Sequence, residues 1–335
     1  MRFHRRALLL VVTLLMLGGG DKVRAEVAEV RVATPYGIGF LPLVIMKQAR
    51  LMEKRAKSAG LGDVKVTWSK FAGGNVMNDA MLSGDLHFAS GGLPPFLTLW
   101  EKTRSNVRAG GVGALGALPM LLNTRNPKIK SVKDFTESDK IAVAAVKVSG
   151  QAMVLQMAAA KLFGQADYAR FDRLTVGLSQ PDAMAALLSG SVTAHFATAP
   201  YMFQELQRPG IHTVLNSYDV YGAPTTEFVA WSTAKFRDAN PKTYAAFYAA
   251  LQDAQGIIAS DKKRAAELYL EATGDRSLPA ADLLKMLNDP QFQYSATPKN
   301  MMTVVDFMHK IGRIKTKPGS WKELFFPEAH ALPGS

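Results

Sequence analysis

Two short glycine-containing segments that precede helical stretches could bind an anion. Residues 149–151, Ser-Gly-Gln, precede a helix expected over 152–162, and residues 73–75, Gly-Gly-Asn, precede one expected over 76–83. A helix N-terminus leaves backbone N–H groups unpaired and carries partial positive charge, so it attracts negative groups. Taken alone, an ordinary capped helix explains the first segment better, and a plain turn explains the second equally well.

Other polar and aromatic residues stand where loops meet expected strands. Tyr36 and Phe40 could supply apolar or stacking walls, although Phe40 also suits a core position. Glu227 begins an expected strand. If Glu227 faces inward, the ligand must carry a hydrogen-bond donor or a positive charge, and a solvated edge position is the alternative. The predicted ligand-binding residues are Tyr36, Gly37, Phe40, Gly73, Gly74, Asn75, Ser90, Gly91, Ser149, Gly150, Gln151, Thr198, Tyr201 and Glu227.

The two histidines in expected strands do not indicate a metal site. Neither His87 nor His195 has Asp, Glu or Cys at ligand spacing. The chain also shows no Ser-His-Asp or Cys-His set for nucleophilic catalysis. The sequence therefore predicts no metal, no cofactor and no enzymatic activity.

A sequence pattern that occurs twice indicates a duplicated lobe. Residues 81–90 read M-L-S-G-D-L-H-F-A-S, and residues 187–198 read L-L-S-G-S-V-T-A-H-F-A-T. In each copy an apolar helical turn is stopped by Ser-Gly, and a buried His-Phe-Ala strand follows. Two unrelated helix-to-strand turns could also have similar sequences, but the residue segments that the two copies share favour a duplicated lobe. Two similar lobes imply a cleft between them, where small molecules bind.

Strand and helix patterns alternate along the chain, which predicts an α/β fold. Alternating apolar residues predict strands at 30–33 and 64–68, and helical spacing predicts one continuous helix over 43–57 between them. Later strands are expected at 140–144, 213–215 and 227–231, and later helices at 241–260, 262–272, 280–287 and 300–311.

The order of motifs in the first third of the chain resembles a known family. A strand, T-P-Y-G-x-G-F-L-P, a helix, a strand, F-x-G-G-N, a helix and L-S-G-D-L-x-F-A-S follow one another. This order is similar to the first lobe of ABC-importer solute-binding proteins, in the subfamily of nitrate, taurine, alkanesulfonate and thiamine-precursor binders. The resemblance extends over nearly the whole chain after residue 25.

The resemblance implies a two-lobe type II periplasmic-binding-protein fold of the α/β class. Each lobe is a sheet wrapped by helices, and two hinge crossings join the lobes. Residues 26–119 with 225–335 are expected to form the first lobe, and residues 120–224 the second. Similar positions line the cleft of family members, so the resemblance favours a ligand-binding role for residues 149–151.

The N-terminus and the charge predict an exported protein that is free in solution. Residues 1–25 contain a basic start, an apolar run over 7–17 and small residues, which is typical of a secretory signal peptide. The apolar run is too short to span a bilayer. The chain has no cysteine, so it has neither disulfides nor a lipoprotein acylation site. The formal charge of +12 comes from scattered lysines and arginines, which does not indicate nucleic-acid binding.

Together with the resemblance, these features predict a monomeric periplasmic receptor for an ABC importer. It would capture a small anionic or zwitterionic organic solute, of the sulfonate, taurine or nitrate type, and deliver it to the membrane permease and its ATPase. The anionic group is expected between residues 73–75 and 149–151. If Glu227 faces the cleft, an amino-bearing ligand is expected instead, such as a taurine-like zwitterion or an aminopyrimidine. The alternative is a thiamine-pyrimidine precursor binder or a related pyrimidine synthase-like enzyme, although the fungal synthases carry a cysteine-rich motif that this chain lacks.

Overall fold

The strands fall into two spatial groups in the computed structural model, which describes residues 25–335. The proposed signal peptide therefore lies, except for its last residue, outside the described residues. The strands are β1 (Glu29–Thr34), β2 (Lys65–Lys70), β3 (Ala89–Gly92), β4 (Ala109–Ala117), β5 (Leu121–Thr124), β6 (Ile141–Val143), β7 (Thr175–Gly177), β8 (Ala194–Ala197), β9 (His212–Asn216) and β10 (Thr226–Thr233). The first group contains two sheets, with strand orders β1-β2 and β3-β10-β4, and the second group contains one sheet, with strand order β7-β6-β8-β5-β9.

Helices cover the sheets and carry most of the remaining chain. Within residues 25–335, none of them is both long enough and apolar enough to cross a membrane. The helices are α1 (Leu41–Gln48), α2 (Leu51–Ser58), α3 (Gly74–Leu82), α4 (Leu93–Thr103), α5 (Gly150–Phe163), α6 (Gln180–Ser189), α7 (Tyr201–Leu206), α8 (Ser217–Tyr221), α9 (Ala234–Ala239), α10 (Pro241–Ser260), α11 (Lys262–Thr273), α12 (Ala280–Asn288) and α13 (Met301–Lys310).

The first group combines the N-terminal strands with β10, which returns late in the chain. Strands β1 and β2 are parallel, and β10 runs antiparallel between β3 and β4. A parallel bridge between Val32 and Phe88 connects the two sheets of this group. Phe88 also stacks on Phe247 of α10, with ring centroids 3.7 Å apart. This contact packs the C-terminal helices onto the first group.

The second group is one five-stranded sheet built from residues 121–216. Strand β6 is parallel to β7 and β8, whereas β5 is antiparallel to β8 and β9. Helices α5 and α6 each follow a strand of this sheet, so their N-termini point towards the same side as residues 73–75 of the first group. Parallel strands with helical connections thus bring helix N-termini together at one edge of each sheet.

The two crossings between the groups lie side by side. One is the short segment 118–120, and the other spans 217–225 and contains α8. The backbone N–H of Ser217 donates to the Met120 carbonyl at 2.9 Å, and the Met120 N–H donates to Ser217 Oγ at 2.9 Å. We propose that these crossings are the hinge and that the lobes are 26–119 with 225–335, and 120–224.

A third contact between the groups lies away from the crossings. Helix α7, from the second group, packs on residues 275–292. Gln204 Nε2 donates to Ser277 Oγ at 3.1 Å, and the rings of Phe203 and Phe292 are 5.9 Å apart. This contact is named here the α7 tether.

The repeated sequence pattern adopts the same local structure in both groups. Gly84 and Gly190, which end α3 and α6, have φ values of 86° and 84°. The chain then enters a strand position parallel to an earlier strand: Phe88 pairs with Val32, and Ala194 pairs with Ile141. In the first copy the regular strand begins at Ala89, later than the His-Phe-Ala pattern predicts.

The predicted continuous helix over 43–57 is wrong. Helix α1 ends at Gln48 and α2 starts at Leu51, because Arg50 takes a left-handed conformation with φ 51°. The break turns the chain so that both short helices can bury an apolar face, α1 through Ile45 and Met46 and α2 through Met52. The apolar spacing is nearly continuous across the break, so the sequence pattern does not indicate that the helix is interrupted.

Candidate ligand-binding cleft

A small cavity, named here the inner cavity, lies between the two groups of strands. Its volume is about 40 Å³. This is little more than the roughly 30 Å³ that one water molecule takes up in the liquid, so an organic solute requires the groups to separate. The lining residues are Pro35, Tyr36, Phe40, Ala72, Gly73, Gly74, Asn75, Gly92, Pro95, Ala144, Ser149, Gly150, Gln151, Gln180, Thr198, Glu227 and Phe228.

Helix α5 contributes its N-terminus to the inner cavity. Ser149 caps this helix: its Oγ accepts from the Ala152 N–H at 3.3 Å and donates to the Ala145 carbonyl at 2.8 Å. Both bonds are internal to the second group, so the Ser149 hydroxyl positions the helix. Residue 150 then presents bare backbone to the cavity. The opposite wall is α3, which begins at Gly74 after an extended Gly73.

Glu227 points into the inner cavity from the first residues of β10. Its side chain is buried, with 2% of the residue exposed. A Cβ built on Gly150 would lie 1.7 Å from Glu227 Oε1, and one on Gly92 would lie 3.2 Å from it. The carboxyl group therefore lies directly against the N-terminus of α5. It occupies the region where the sequence predicted an anionic group of the ligand.

The protonation of Glu227 is set by two opposing effects. Burial raises the pKa of its carboxyl from 4.5 to about 8, and the Tyr221 hydroxyl, which donates to Oε2 at 2.8 Å, acts to lower it. Burial dominates because the charged form loses its water. Without a cationic partner, the buried carboxyl therefore holds its proton more tightly than an exposed glutamate does. A cationic ligand would favour the ionised form.

Gln180, at the start of α6, presents a hydrogen-bond donor to the inner cavity. The backbone N–H and the hydroxyl of Thr198 lie 2.8 Å and 3.0 Å from Gln180 Oε1. A backbone N–H can only donate, so this atom is the amide oxygen and the orientation of the amide is fixed. The Nε2 group of this buried side chain has no partner among the described residues. The cavity thus holds a carboxyl group and a free amide donor.

A larger cavity, named here the outer cavity, adjoins the inner one at Tyr36. Its volume is about 430 Å³. Tyr36 lines both cavities, and Gly37 and Tyr201 line the outer one. Burial raises the pKa of Tyr201 to about 12, with smaller contributions from Asp275 and Tyr36. The outer cavity is lined by Thr34, Tyr36, Gly37, Leu43, Val44, Lys47, Trp68, Ser69, Lys70, Pro181, Met184, Tyr201, Gln204, Tyr269, Ala272, Thr273, Asp275 and Ser277.

Gly37 is required by both conformation and space. Its φ is 106°, which side chains rarely adopt, and a Cβ there would lie 2.9 Å from the Ala199 carbonyl oxygen. The neighbouring Ile38 N–H donates to the same oxygen at 2.9 Å. Residues 37–38 therefore hold the first group against the end of β8.

Two predicted residues, Ser90 and Gly91, line neither cavity. The fully buried Ser90 hydroxyl donates to the Ala33 carbonyl at 3.1 Å, so it links β3 to β1. A Cβ on Gly91 would lie 3.0 Å from both Gly74 Cα and the Trp231 ring. Both residues pack beneath the cavity wall, because the turn towards the cavity comes at Gly92.

The two histidines serve the packing of their own sheets. Nδ1 of His87 accepts from the Arg31 N–H at 3.2 Å, and burial, with Arg31, lowers its pKa to about 4. His195 Nδ1 lies 2.5 Å from Oε1 of the fully buried Glu205. Glu205, a carboxylate ten residues further on, is a partner that the sequence pattern did not suggest. No group of three potential metal-ligating side chains occurs among residues 25–335.

Sequence reasoning missed three side chains of the cleft. Gln180 lies in a Ser-Gln-Pro-Asp capping sequence, where the cap itself explained the motif. Tyr221 lies in the second crossing, and Lys70 ends β2, in positions with no distinctive local pattern. The sequence repeat could have identified Gln180. It relates α6 to α3, so the start of α6 corresponds to residues 73–75 at the start of α3, which are predicted ligand-binding residues.

Comparison with known proteins places the chain in a family. The model of the NMT1-like family matches residues 24–270. No curated protein matches the sequence. The alkanesulfonate-binding protein of Xanthomonas axonopodis pv. citri, bound to MOPS, is 20% identical with a TM-score of 0.67, over 91% of this chain and 98% of that one.

Two further solved structures show the same fold. The periplasmic aliphatic sulphonate-binding protein of Escherichia coli is 21% identical, with a TM-score of 0.62 over 88% of this chain and 98% of that one. The periplasmic nitrate-binding protein of Synechocystis PCC 6803 is 14% identical, with a TM-score of 0.67 over 92% and 86%. The predicted α/β, two-lobe periplasmic-binding-protein fold is confirmed, and the chain belongs to the NMT1-like family.

Proposed function

We propose that the protein is a periplasmic receptor of an ABC importer for a small organic solute that carries an amino group or another nitrogen donor. The observation that supports this most directly is the buried Glu227 carboxyl against Gly150. A donor or cation placed beside Oε1 would regain the interactions that the carboxylate loses on burial. This departs from the first expectation of an anion at the same place.

An anionic group beside Glu227 is disfavoured for two reasons. The ionised carboxylate of Glu227 and a second negative charge would repel each other in a buried site, and the N-terminus of α5 already interacts with the carboxyl of Glu227. An anion lacking any donor, such as nitrate, could not donate to Glu227 Oε1, so the carboxylate would keep only the hydrogen bond from the Tyr221 hydroxyl at Oε2. A zwitterion can use its amine at Glu227 and direct its anionic group away from it.

Two observations support reversible binding. The solved relatives named above are binding proteins, two of them for sulfonates and one for nitrate, as their names state. In this chain the inner cavity is nearly closed, and two adjacent crossings could act as a hinge. A solute that contacts both lobes would favour the closed form. The receptor would then act as a monomer and dock transiently on the permease.

An aminopyrimidine is a second candidate solute, favoured by Gln180. Its unpartnered Nε2 can donate to a ring nitrogen while Glu227 accepts from an exocyclic amine. Such an edge has both a donor and an acceptor, as this pair of side chains requires. The function class stays the same, and only the ligand differs.

A thermal-shift screen tests the proposal. Taurine, 3-aminopropanesulfonate and 4-amino-2-methylpyrimidine carry amines, and ethanesulfonate and nitrate do not. A ligand that binds only the native state raises the unfolding midpoint. We expect at least one amine to do so in the wild type and not in Glu227→Gln. The control Glu137→Gln changes an exposed carboxylate, 68% of whose side chain is accessible.

If ethanesulfonate or nitrate stabilises wild type and Glu227→Gln equally, the ligand does not need an amine. That result would contradict the proposal and indicate a simple anion as the ligand. Export is tested separately. The mature protein should begin near Glu26, and intact-mass analysis of the periplasmic fraction that shows Met1 retained would contradict a free periplasmic receptor.

A further inference from the structure

We propose that the outer cavity is a second subsite of the same cleft, which binds an anionic group joined through an aromatic or apolar linker to the amine at Glu227. The inference rests on the proposed function, because both ends belong to one solute. It adds a chemical class to that function: an elongated amino acid analogue, carboxylate or sulfonate, with a ring or an apolar chain between its charges.

The size of the outer cavity requires more than a small ion. It measures about 430 Å³, compared with about 40 Å³ for the inner cavity. An apolar cavity on the order of 150 Å³ accommodates a benzene ring. The outer cavity therefore has room for a ring and a charged substituent, whereas the inner one fits a single polar group.

The two cavities share one lining residue, and a single molecule that extends past this residue would reach both. The Tyr36 ring lines each of them. On the outer side, Lys70 Nζ lies 5.2 Å from the centre of this ring and donates to the Pro35 carbonyl at 3.1 Å. A positive charge is thus held at the same two residues that form the wall of the inner cavity.

The lysine wall of the outer cavity lacks a counter-charge. Lys47 and Lys70 both line it, and within residues 25–335 neither forms an ion pair with a carboxylate. Packing around Lys70 lowers its pKa, and the charge of Lys47 lowers it further. An anion beside Lys70 would favour the charged form of that lysine, with charge-assisted hydrogen bonds from Nζ.

The one carboxylate in the outer cavity is already engaged. Asp275 Oδ1 accepts from the Ser277 N–H at 2.8 Å and from its hydroxyl at 2.6 Å, and Oδ2 lies 3.5 Å from Gln204 Nε2. These bonds hold its charge within the α7 tether. Between this loop and the lysines, Trp68, Tyr201 and Tyr269 offer aromatic surface for the linker.

Three related probes separate the two subsites. They are 4-(aminomethyl)benzenesulfonate, which has both charges, benzylamine, which lacks the anion, and benzenesulfonate, which lacks the amine. Their affinities are measured by calorimetric titration of wild type, Lys70→Met, Glu227→Gln and the control Lys65→Met. Lys65 lies in the same strand, is exposed, pairs with Glu29 at 2.9 Å and lines neither cavity.

We expect wild type to bind 4-(aminomethyl)benzenesulfonate at least ~10-fold more tightly than benzylamine, a difference of about 1.4 kcal/mol. Lys70→Met should reduce this ratio to near one, and Lys65→Met should retain it. Thermal unfolding of each variant checks that it is folded. Glu227→Gln should weaken both amines, which reports on the inner subsite alone.

An unchanged ratio in Lys70→Met, or no preference for the two-ended probe in wild type, overturns the second subsite. The proposed function would still stand after that result if binding of an amine from the thermal-shift screen depends on Glu227. If Glu227→Gln binds every amine as well as wild type does, the proposed function fails, whatever happens at Lys70. Absence of binding of both amine probes to wild type also rejects the two-ended solute.

Discussion

Gly150 and Glu227 are in contact across the cleft, although one opens α5 and the other begins β10. The Cβ of any other residue at position 150 would lie 1.7 Å from Glu227 Oε1. The closed structure therefore depends on a glycine at the helix N-terminus and on a carboxyl that fills the space above it. A substitution at either position changes both the ligand site and the contact between the lobes.

Replacing Gly150 should weaken ligand binding and disfavour the closed form. Gly150→Val should reduce the affinity for the best ligand of the screen at least ~10-fold, about 1.4 kcal/mol, because the side chain displaces the carboxyl. Calorimetric titration measures the loss. Gly256→Ala is the control, since a Cβ there, in exposed α10 surface, meets nothing within 4 Å. An unchanged affinity in folded Gly150→Val would place the ligand elsewhere.

Glu227 should make the empty protein less stable as the pH rises. The carboxyl pKa is about 8 when folded, compared with 4.5 for an unperturbed glutamate, so the native state keeps a proton that the unfolded chain releases. The free energy of unfolding therefore falls between pH 4.5 and about 8 and is then constant. Glu227→Gln removes this loss, on the order of 3–5 kcal/mol.

Urea denaturation of wild type and Glu227→Gln at pH 5, 7 and 9 measures this effect. The stability advantage of the variant should be small at pH 5 and largest at pH 9. Glu137→Gln, at an exposed site, should show no comparable trend. A difference between wild type and Glu227→Gln that is the same at every pH would show that Glu227 stays ionised in the empty cleft.

Tyr221→Phe should shift the pH dependence of amine binding upwards. The Tyr221 hydroxyl stabilises the ionised carboxylate, so its removal raises the pKa of Glu227 above about 8. A cationic ligand binds the ionised form, and its affinity should therefore rise at higher pH in the variant than in wild type. Titrations between pH 6 and 9 give the two midpoints, with Tyr248→Phe as the control, because Tyr248 lines neither cavity and its hydroxyl donates to the Glu328 carbonyl. Coincident curves would contradict a positioning role for Tyr221.

The buried pair of His195 and Glu205 should stabilise the second lobe. Besides His195, Glu205 accepts from Asn123 Nδ2 at 2.8 Å, and Asn123 Oδ1 accepts from the Thr213 hydroxyl at 2.7 Å. Removing one partner of a buried hydrogen bond, so that the other is left unsatisfied, typically costs about 1–3 kcal/mol. Glu205→Leu should lose this much in urea denaturation, and the exposed Glu271→Gln little. A loss below ~1 kcal/mol would show that the network is dispensable.

Features that depend on local sequence could be predicted well. The repeated Ser-Gly pattern identified two helix ends that both have left-handed glycines, Gly84 and Gly190. Helix α10 has the predicted bounds, because a proline starts it and a polar Ser-Asp pair ends it. Ten of the candidate residues line the inner cavity, and their role in ligand binding stays a prediction.

Features that depend on distant contacts could not be predicted. Whether Glu227 faces solvent or the cleft is decided by Gly150, 77 positions earlier in the sequence. The break at Arg50 has no glycine or proline, and follows from how α1 and α2 pack on the helices of the C-terminal region. Gln180 matters only because the Thr198 N–H fixes its amide, a bond that local sequence does not reveal.

The two ends of the cleft differ in the lobes that supply their residues. Lys47 and Lys70 of the outer cavity both belong to the proposed first lobe, whereas Glu227 and Gly150 meet at the inner cavity from different lobes. Rotation about the crossings therefore leaves the lysine wall preformed, and assembles the Glu227 end only on closure. A solute with an anionic group and an amine would therefore bind in two steps. Its anionic group would bind first at the lysine wall, and the contact of its amine with Glu227 would then stabilise the closed form.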